Sequence, residues 1–201
     1  MRPNSVLYLA NPCGDATLEA MRRGELGYID TPAQGNTRPD GVVWCADNGA
    51  YSDRFNEQKW WRFLKANAHA TANCLFATAP DVVGDAVATM KRSLPWLGRI
   101  RALGYPVALV AQDGLENLTV PWQSFDCLFI GGSTEWKLGE HARDLVAEAN
   151  WNGLWTHMGR VNSHKRYTYA REIGCDSADG TYLTFGPTVN LPKLLSWVRS
   201  G

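Results

Sequence analysis

Net charge is the first thing this 201-residue chain lacks: Lys plus Arg number 20 and Asp plus Glu number 20, for a formal charge of zero. That excludes a protein that coats nucleic acid by bulk charge, and leaves room only for a local basic patch. Close cysteine pairs are also missing. Cys13, Cys45, Cys74, Cys127 and Cys175 are widely spaced with no CxxC among them, so neither a zinc ribbon nor an iron–sulfur site is expected. Cys45, Cys74 and Cys127 sit inside apolar runs and read as small buried hydrophobes, which suits a reducing cytosol. No leader-like segment opens the sequence and no apolar run reaches membrane-spanning length, so a cytoplasmic protein without membrane contact is expected. The turn after the first apolar run, Asn11-Pro-Cys-Gly-Asp15, has one glycine. It is not a dinucleotide fingerprint, and no Walker loop occurs, which removes nicotinamide and nucleoside triphosphate cofactors. No cofactor and no metal is expected. Repeats, linkers and low-complexity tracts are absent too, and the length fits a single domain over residues 1–201.

What is present is a succession of short apolar runs: Ser5 to Ala10, Val42 to Ala46, Cys74 to Thr78, Val107 to Ala111, Cys127 to Ile130, Gly153 to Met158, and a seventh over Gly174 to Asp179. They are continuous rather than alternating, as in strands buried on both faces. Between them lie helical stretches at Asn56 to Ala70, Asp85 to Leu103 (with Pro95 as an expected kink or break), Lys137 to Ala149, Ser163 to Ile173 and Leu191 to Val198. Gly24 to Asp40 is rich in Gly, Pro and Asn and reads as a long loop or lid. Strand–helix alternation implies a parallel sheet covered by helices. Nearly every run ends in a polar or glycine position: Asn11, Asp47, Asp81, Gln112, Gly131-Gly132, Gly159, and Asp176 with Asp179. Such ends converge in a closed barrel and spread out in an open sheet. The expectation is therefore a trimmed, compact (β/α)8-type (TIM-like) barrel of the α/β class, smaller than the usual ~250 residues.

Several of these positions admit a plain structural reading. Asp47-Asn-Gly and Gln112-Asp-Gly are good turn sequences. Asp81 and Asp85 stand where a helix would begin, and Asp85 suits a cap. Gly131-Gly132-Ser133-Thr134 is either a tight strand-to-helix link or a place where backbone N–H groups meet a ligand. Asp176 and Asp179 could pair with Arg160 or Arg171. Most of the nine tryptophans belong in a core, with one or two free to stack on bases.

As a set, the segments resemble the tRNA-guanine transglycosylase family. Asp47-Asn-Gly-Ala-Tyr51 is similar to that family's Asp-Ser-Gly-Gly-Phe segment, Phe129-Ile-Gly-Gly-Ser133 to its Gly-Gly base-binding loop, and His157-Met-Gly-Arg160 to its Met-Gly segment. Gly174-Cys-Asp-Ser-Ala-Asp179 resembles Gly-hydrophobic-Asp-Met-Phe-Asp, whose second aspartate is the family's nucleophile. The order is the family's, and the matches span residues 42–183. The family's zinc site and its large tRNA-gripping insertions have no counterpart, and Ser133 replaces a leucine. A short, zinc-free relative is most similar to the phage proteins that insert 7-deazaguanines into DNA.

The resemblance implies a pentosyltransferase in the cytosol of a bacterial or phage-infected cell. Asp179 would attack the sugar carbon, expel guanine and hold the sugar covalently, and an incoming 7-deazaguanine would then displace it. Asp47 would be the acid/base group, its pKa raised by burial or by Asp179. Asp81 would accept from the guanine N1–H and 2-amino group. Gln112 and the N–H of Gly132 would donate to O6, with Gly131, Ser133, Gly159 and Asp176 completing the pocket and Tyr51 or Met158 sandwiching the ring. The target guanine must be single-stranded or flipped out. Arg160, His164, Lys165, Arg166 and Arg171 form the densest basic stretch, either a solvated helix face or, next to the nucleophile, phosphate contacts to DNA; tRNA is the less favoured partner. Rival readings are a nucleic-acid or nucleoside glycosylase on the same barrel, a metal-dependent hydrolase using Asp47, Asp81 and His157, and a non-catalytic nucleic-acid binder.

Overall fold

Apolar runs four or five residues long bury both faces only if each strand has a sheet neighbour on either side and a helix on its outer face. In the computed structural model, which describes residues 5–52 and 55–200, the runs satisfy this by closing into a barrel. The ends of the expected domain, residues 1–4 and 201, lie outside the described residues. Eight parallel strands pair in sequence order: β1 (Leu7–Ala10), β2 (Gly27–Asp30), β3 (Trp44–Ala46), β4 (Cys74–Thr78), β5 (Val107–Ala111), β6 (Cys127–Ile130), β7 (Trp155–Met158) and β8 (Ser177–Asp179). Strand β1 closes the ring by pairing with β8, Leu9 opposite Asp179.

Around them lie α1 (Asp15–Arg22), α2 (Glu57–Asn67), α3 (Ala86–Arg101), α4 (Thr134–Lys137), α5 (Glu140–Trp151), α6 (His164–Glu172) and α7 (Pro187–Arg199). Side-chain oxygens start four of these helices: Asn56 accepts from Lys59 N at 2.8 Å, Asp85 from Ala88 N at 2.9 Å, Ser133 from Trp136 N at 3.2 Å and Ser163 from Arg166 N at 3.3 Å. The fold fits 201 residues because two connections carry no α-helix. One is the segment between β2 and β3; the other, between β5 and β6, is folded only into short 3-10 turns.

Alternation divides each strand between two cores. Leu9, Ile29, Cys45, Phe76, Ala108 and Cys127 point inward and fill the barrel, with Phe129 and Trp155 packed against them. Tyr8, Tyr28, Trp44, Leu109, Leu128, Met158 and Ala178 point outward beneath the helices.

Four expectations need correction. The stretch Gly24 to Asp40 is not all loop: Gly27–Asp30 is a full barrel strand, hydrogen-bonded on both sides. Helix α1, in a segment with no expected helix, buries Ala20 and Met21 in the outer core. Pro95 does not end α3, which continues to Arg101. The helix expected from Lys137 to Ala149 is two, α4 and α5, separated by Leu138 and Gly139.

Candidate active site at the barrel mouth

Parallel strands place all their C-terminal ends at one rim, so the residues just beyond them converge there. The result is a cavity of about 210 Å3 lined by Asp47, Asp179, Asp81, Gln112 and the glycines Gly131, Gly132 and Gly159. Ile29, Val110 and Phe129 add apolar surface to its lining. Of the residues expected to bind substrate, Asp47, Tyr51, Asp81, Gln112, Gly131, Gly132, Gly159, Arg160 and Asp179 all line this one space.

Asp179 ends β8 facing inward and is held from below. His157, fully buried on β7, brings Nε2 to 2.9 Å from Asp179 Oδ1 and Nδ1 to 2.8 Å from Ser177 Oγ. Ser177 Oγ also accepts from Trp155 Nε1 at 2.8 Å. With the indole N–H as donor, the serine proton is directed to Nδ1, and that tautomer leaves Nε2–H to donate to the carboxylate. Phe76 and Phe129 pack against the imidazole with ring centroids 5.0 and 4.5 Å away, which fixes its plane. The chain Trp155–Ser177–His157–Asp179 therefore orients one oxygen of the carboxylate.

Asp47 follows β3. Its pKa is pushed up to about 7, first by burial, then by the negative charges of Asp179 and Asp81. Gly49 N–H donates to its Oδ2 at 3.3 Å and only partly offsets this.

Asp81 is buried and its pKa is raised, chiefly by burial. Asn48 Nδ2 donates to its Oδ1 at 2.8 Å and Gln112 Nε2 to its Oδ2 at 2.6 Å. Gln112 Oε1 in turn accepts from Gly84 N and Gly132 N, both at 2.9 Å. The Gly132 N–H expected to meet a ligand thus serves to hold Gln112. A Cβ at Gly131 would come within 2.9 Å of Gln112 Nε2 and 2.8 Å of Val110 Cγ1, so this wall requires glycine. Two buried polar atoms of the cavity lining, Asn11 Oδ1 and Thr78 Oγ1, have no hydrogen-bond partner among the described residues. Buried groups without partners are rare, and here both lie where a ligand would supply them.

Three expected residues are not at the mouth. Met158 is on the outward face of β7, fully buried under the helices, because β alternation sends it opposite to His157. Asp176 precedes β8 at the far end of the barrel and accepts from Thr156 N at 2.8 Å and Thr156 Oγ1 at 3.0 Å. Ser133 caps α4 and binds Asp113 through both its N–H, at 2.7 Å, and its hydroxyl, at 2.6 Å.

The basic stretch divides. Arg160 and Arg166 face a second recess, of about 230 Å3, that adjoins the first and shares Asp179 with it. Arg160 donates to the carbonyls of Gly131 and Gly132, and its guanidinium carbon lies 4.5 Å from the centroid of the Tyr51 ring. His164 packs on Trp197, Lys165 is exposed on the first turn of α6, and Arg171 reaches Ser200 O at 3.2 Å near the chain's C-terminal end.

Besides His157 as the support of Asp179, Asn48 and Lys137 are functional neighbours that the sequence does not single out. Lys137 is fully buried, its Nζ donates to Gly159 O at 2.6 Å, and its pKa is lowered to about 7 by burial and then by Arg160. It fixes the turn that carries Gly159 and Arg160. Among the described residues, no group of three or more His, Cys, Asp or Glu side chains is arranged to hold a metal ion, and no helix is long and apolar enough to cross a membrane.

No protein-family model matches the chain, and no curated protein does. Among solved structures it is similar to the tetrameric deoxyribose phosphate aldolase of Aeropyrum pernix, at 13% identity and a TM-score of 0.56, over 97% of this chain and 89% of that one. This likeness shows the eight-stranded TIM-like fold. The c-di-GMP complex of the phosphodiesterase PaMucR is similar at 14% identity and a TM-score of 0.43, over 70% of this chain and 60% of that one, a score too low to carry an argument.

Proposed function

We propose that the chain is a base-exchange transglycosylase that replaces guanine in DNA by a 7-deazaguanine derivative. The observation that carries this reading is one cavity lined by apolar side chains and by two carboxylates in different surroundings: Asp179, oriented by His157, and Asp47, with its pKa raised to about 7. Paired groups with separated environments are how one site performs both nucleophilic and proton-transfer steps.

In the first step the unoriented oxygen of Asp179 bonds to C1′ of the nucleotide. The C1′–N9 bond breaks, its electron pair leaves with guanine, and the protonated Asp47 supplies the proton that guanine needs. In the second step Asp47, now a carboxylate, removes the N9 proton of the incoming base. N9 bonds to C1′, and the Asp179–C1′ bond breaks to restore the carboxylate. Two inversions preserve the β configuration. Asp81 receives the N1–H and 2-amino edge of either base, since each of its oxygens retains acceptor capacity beyond the bonds from Asn48 and Gln112. Ile29, Val110 and Phe129 accept the ring faces.

Chemistry through a lysine amine has no nucleophile here, because none of the residues lining the cavity is a lysine and Lys137 is fully buried. The deciding experiment incubates the protein with guanine-containing DNA and with tRNA, each with labelled guanine and a panel of 7-deazaguanines, beside Asp179→Ala and Asp47→Ala. Label entering DNA, and lost in both variants, supports the reading. Label entering only tRNA changes the substrate. Free guanine released without incorporation makes the protein a glycosylase.

A further inference from the structure

We propose that the recess between Arg160 and Arg166 seats the phosphate attached to the nucleoside under attack. Its placement rests on the transglycosylase reading. The recess and the base cavity share Tyr51, Arg160, Asp179, Gly180 and Thr181. A nucleoside whose base fills the first and whose C1′ faces Asp179 must direct its sugar, and the phosphate beyond it, into the second.

The charges fit an anion. Arg23, Arg38, Arg101 and Arg199 each form an ion pair with a carboxylate. Neither Arg160 nor Arg166 has such a pair among the described residues. Arg166 donates through Nη1 to Arg160 O at 3.2 Å, leaving the rest of its guanidinium fork at the recess. A guanidinium without a carboxylate presents parallel N–H groups that match phosphate oxygens.

The backbone is also committed to this arrangement. Arg160 is the one non-glycine residue among those described with a left-handed backbone, at φ 58°. Strain of this kind persists where neighbours hold it, and it concentrates at binding sites. Here Lys137 grips Gly159 O, Arg166 grips Arg160 O, and Tyr51 lies against the Arg160 guanidinium. Each contact fixes the Arg160 charge at the recess.

The phosphate can come from a free nucleotide or from a strand, and the same recess serves both. Tyr51, 65% exposed at the rim, and Phe185, 78% exposed between β8 and α7, offer faces on which neighbouring bases of a strand can stack.

The test reads binding without turnover, by fluorescence anisotropy of a labelled single-stranded 12-mer containing one guanine, across a salt series. Arg166→Gln is expected to weaken binding about tenfold and to reduce the salt slope by ~0.7, the contribution of one single-strand phosphate. Thr134→Asp puts a carboxylate in the recess at a helix start that tolerates acid; it should weaken binding similarly and guards against misfolding of the first variant. Arg22→Gln, on the last turn of α1, should bind as wild type. Displacement of the probe by deoxyguanosine monophosphate at tenfold lower concentration than by deoxyguanosine, lost in Arg166→Gln, assigns the recess to a free monoester. Equal displacement by the two, with strand binding still dependent on Arg166, assigns it to the diester of a strand. The proposal is overturned if Arg166→Gln and Thr134→Asp bind like wild type, or if Arg22→Gln is as weak as they are. Base exchange that fails while binding still depends on Arg166 would sink the transglycosylase reading and keep the recess. The opposite result would sink only the recess.

Discussion

Asp47 links stability to chemistry. Its folded pKa, about 7, lies above the unfolded value of ~3.9. The stability it contributes is therefore complete below about pH 4 and is lost as pH rises through about 7. Asp47→Asn mimics the neutral form, so urea melts should show the variant more stable than wild type at pH 8, by on the order of 2 kcal/mol, with the gap closing toward pH 4. The same variant should lose base exchange, and wild-type departure of guanine should slow as pH rises through about 7. His157 acts through Asp179. His157→Asn should cut the exchange rate by roughly a hundredfold while DNA affinity holds, measured as rate against anisotropy Kd, because the attacking carboxylate loses its orientation but the rim is untouched. Thr78 Oγ1 has no partner among the described residues, so Thr78→Val should leave the thermal midpoint unchanged or raised, yet raise the KM for the incoming base. At this scale the acidic residues were readable because each follows an apolar run. The support that His157 gives Asp179 was not readable, since which of His157 and Met158 faces inward depends on strand register.

The elements explain which parts of the barrel were visible in advance. Helices α2, α3 and α6 have capping side chains, and their starts follow Asn56, Asp85 and Ser163; α2 and α3 add apolar periodicity. Strand β2 was hidden because Gly27-Tyr-Ile-Asp30 is short and lies in a stretch of turn formers. Its identity comes from its neighbours: a Cβ at Gly27 would stand 2.2 Å from Leu9 Cδ2 and 3.3 Å from Val43 O, so glycine is needed for β1, β2 and β3 to lie together. A similar constraint joins the loops after β7 and β8. A Cβ at Gly180 would stand 2.7 Å from Val161 O and 2.6 Å from the Tyr8 hydroxyl. Gly180→Ala should therefore destabilise the protein by about 2 kcal/mol and displace Asp179, read as a lower urea midpoint together with lost exchange.

Closure ties the two ends of the molecule together. Tyr8 Oη donates to Val161 O at 2.9 Å and Tyr167 Oη to Val6 O at 2.7 Å, each across more than 150 residues, beside the pairing of β1 with β8. With one inner core and one continuous outer core, circular dichroism and tryptophan fluorescence should report a single coincident unfolding transition in urea. A chelator should leave exchange unchanged, because the proposed steps use carboxylates and no described cluster of donors is arranged for a metal.

By itself the sequence determined the alternation of apolar runs and helices, and so the parallel barrel, because strands that end in polar residues are served by a shared mouth. It also put Asp47, Asp81 and Asp179 at that mouth, but it put Asp176 there with them, and that carboxylate lies at the far end of the barrel. Only the tertiary structure decided what those groups do to one another. The pKa of Asp47 depends on burial and on the charges of Asp179 and Asp81, which are distant from it along the chain. The hold on Asp179 depends on the register of β7 against β8, and the division of Arg160 and Arg166 from Arg171 depends on where α6 points. Separation along the chain carries none of these distances, and electrostatic and hydrogen-bond energies are set by distance.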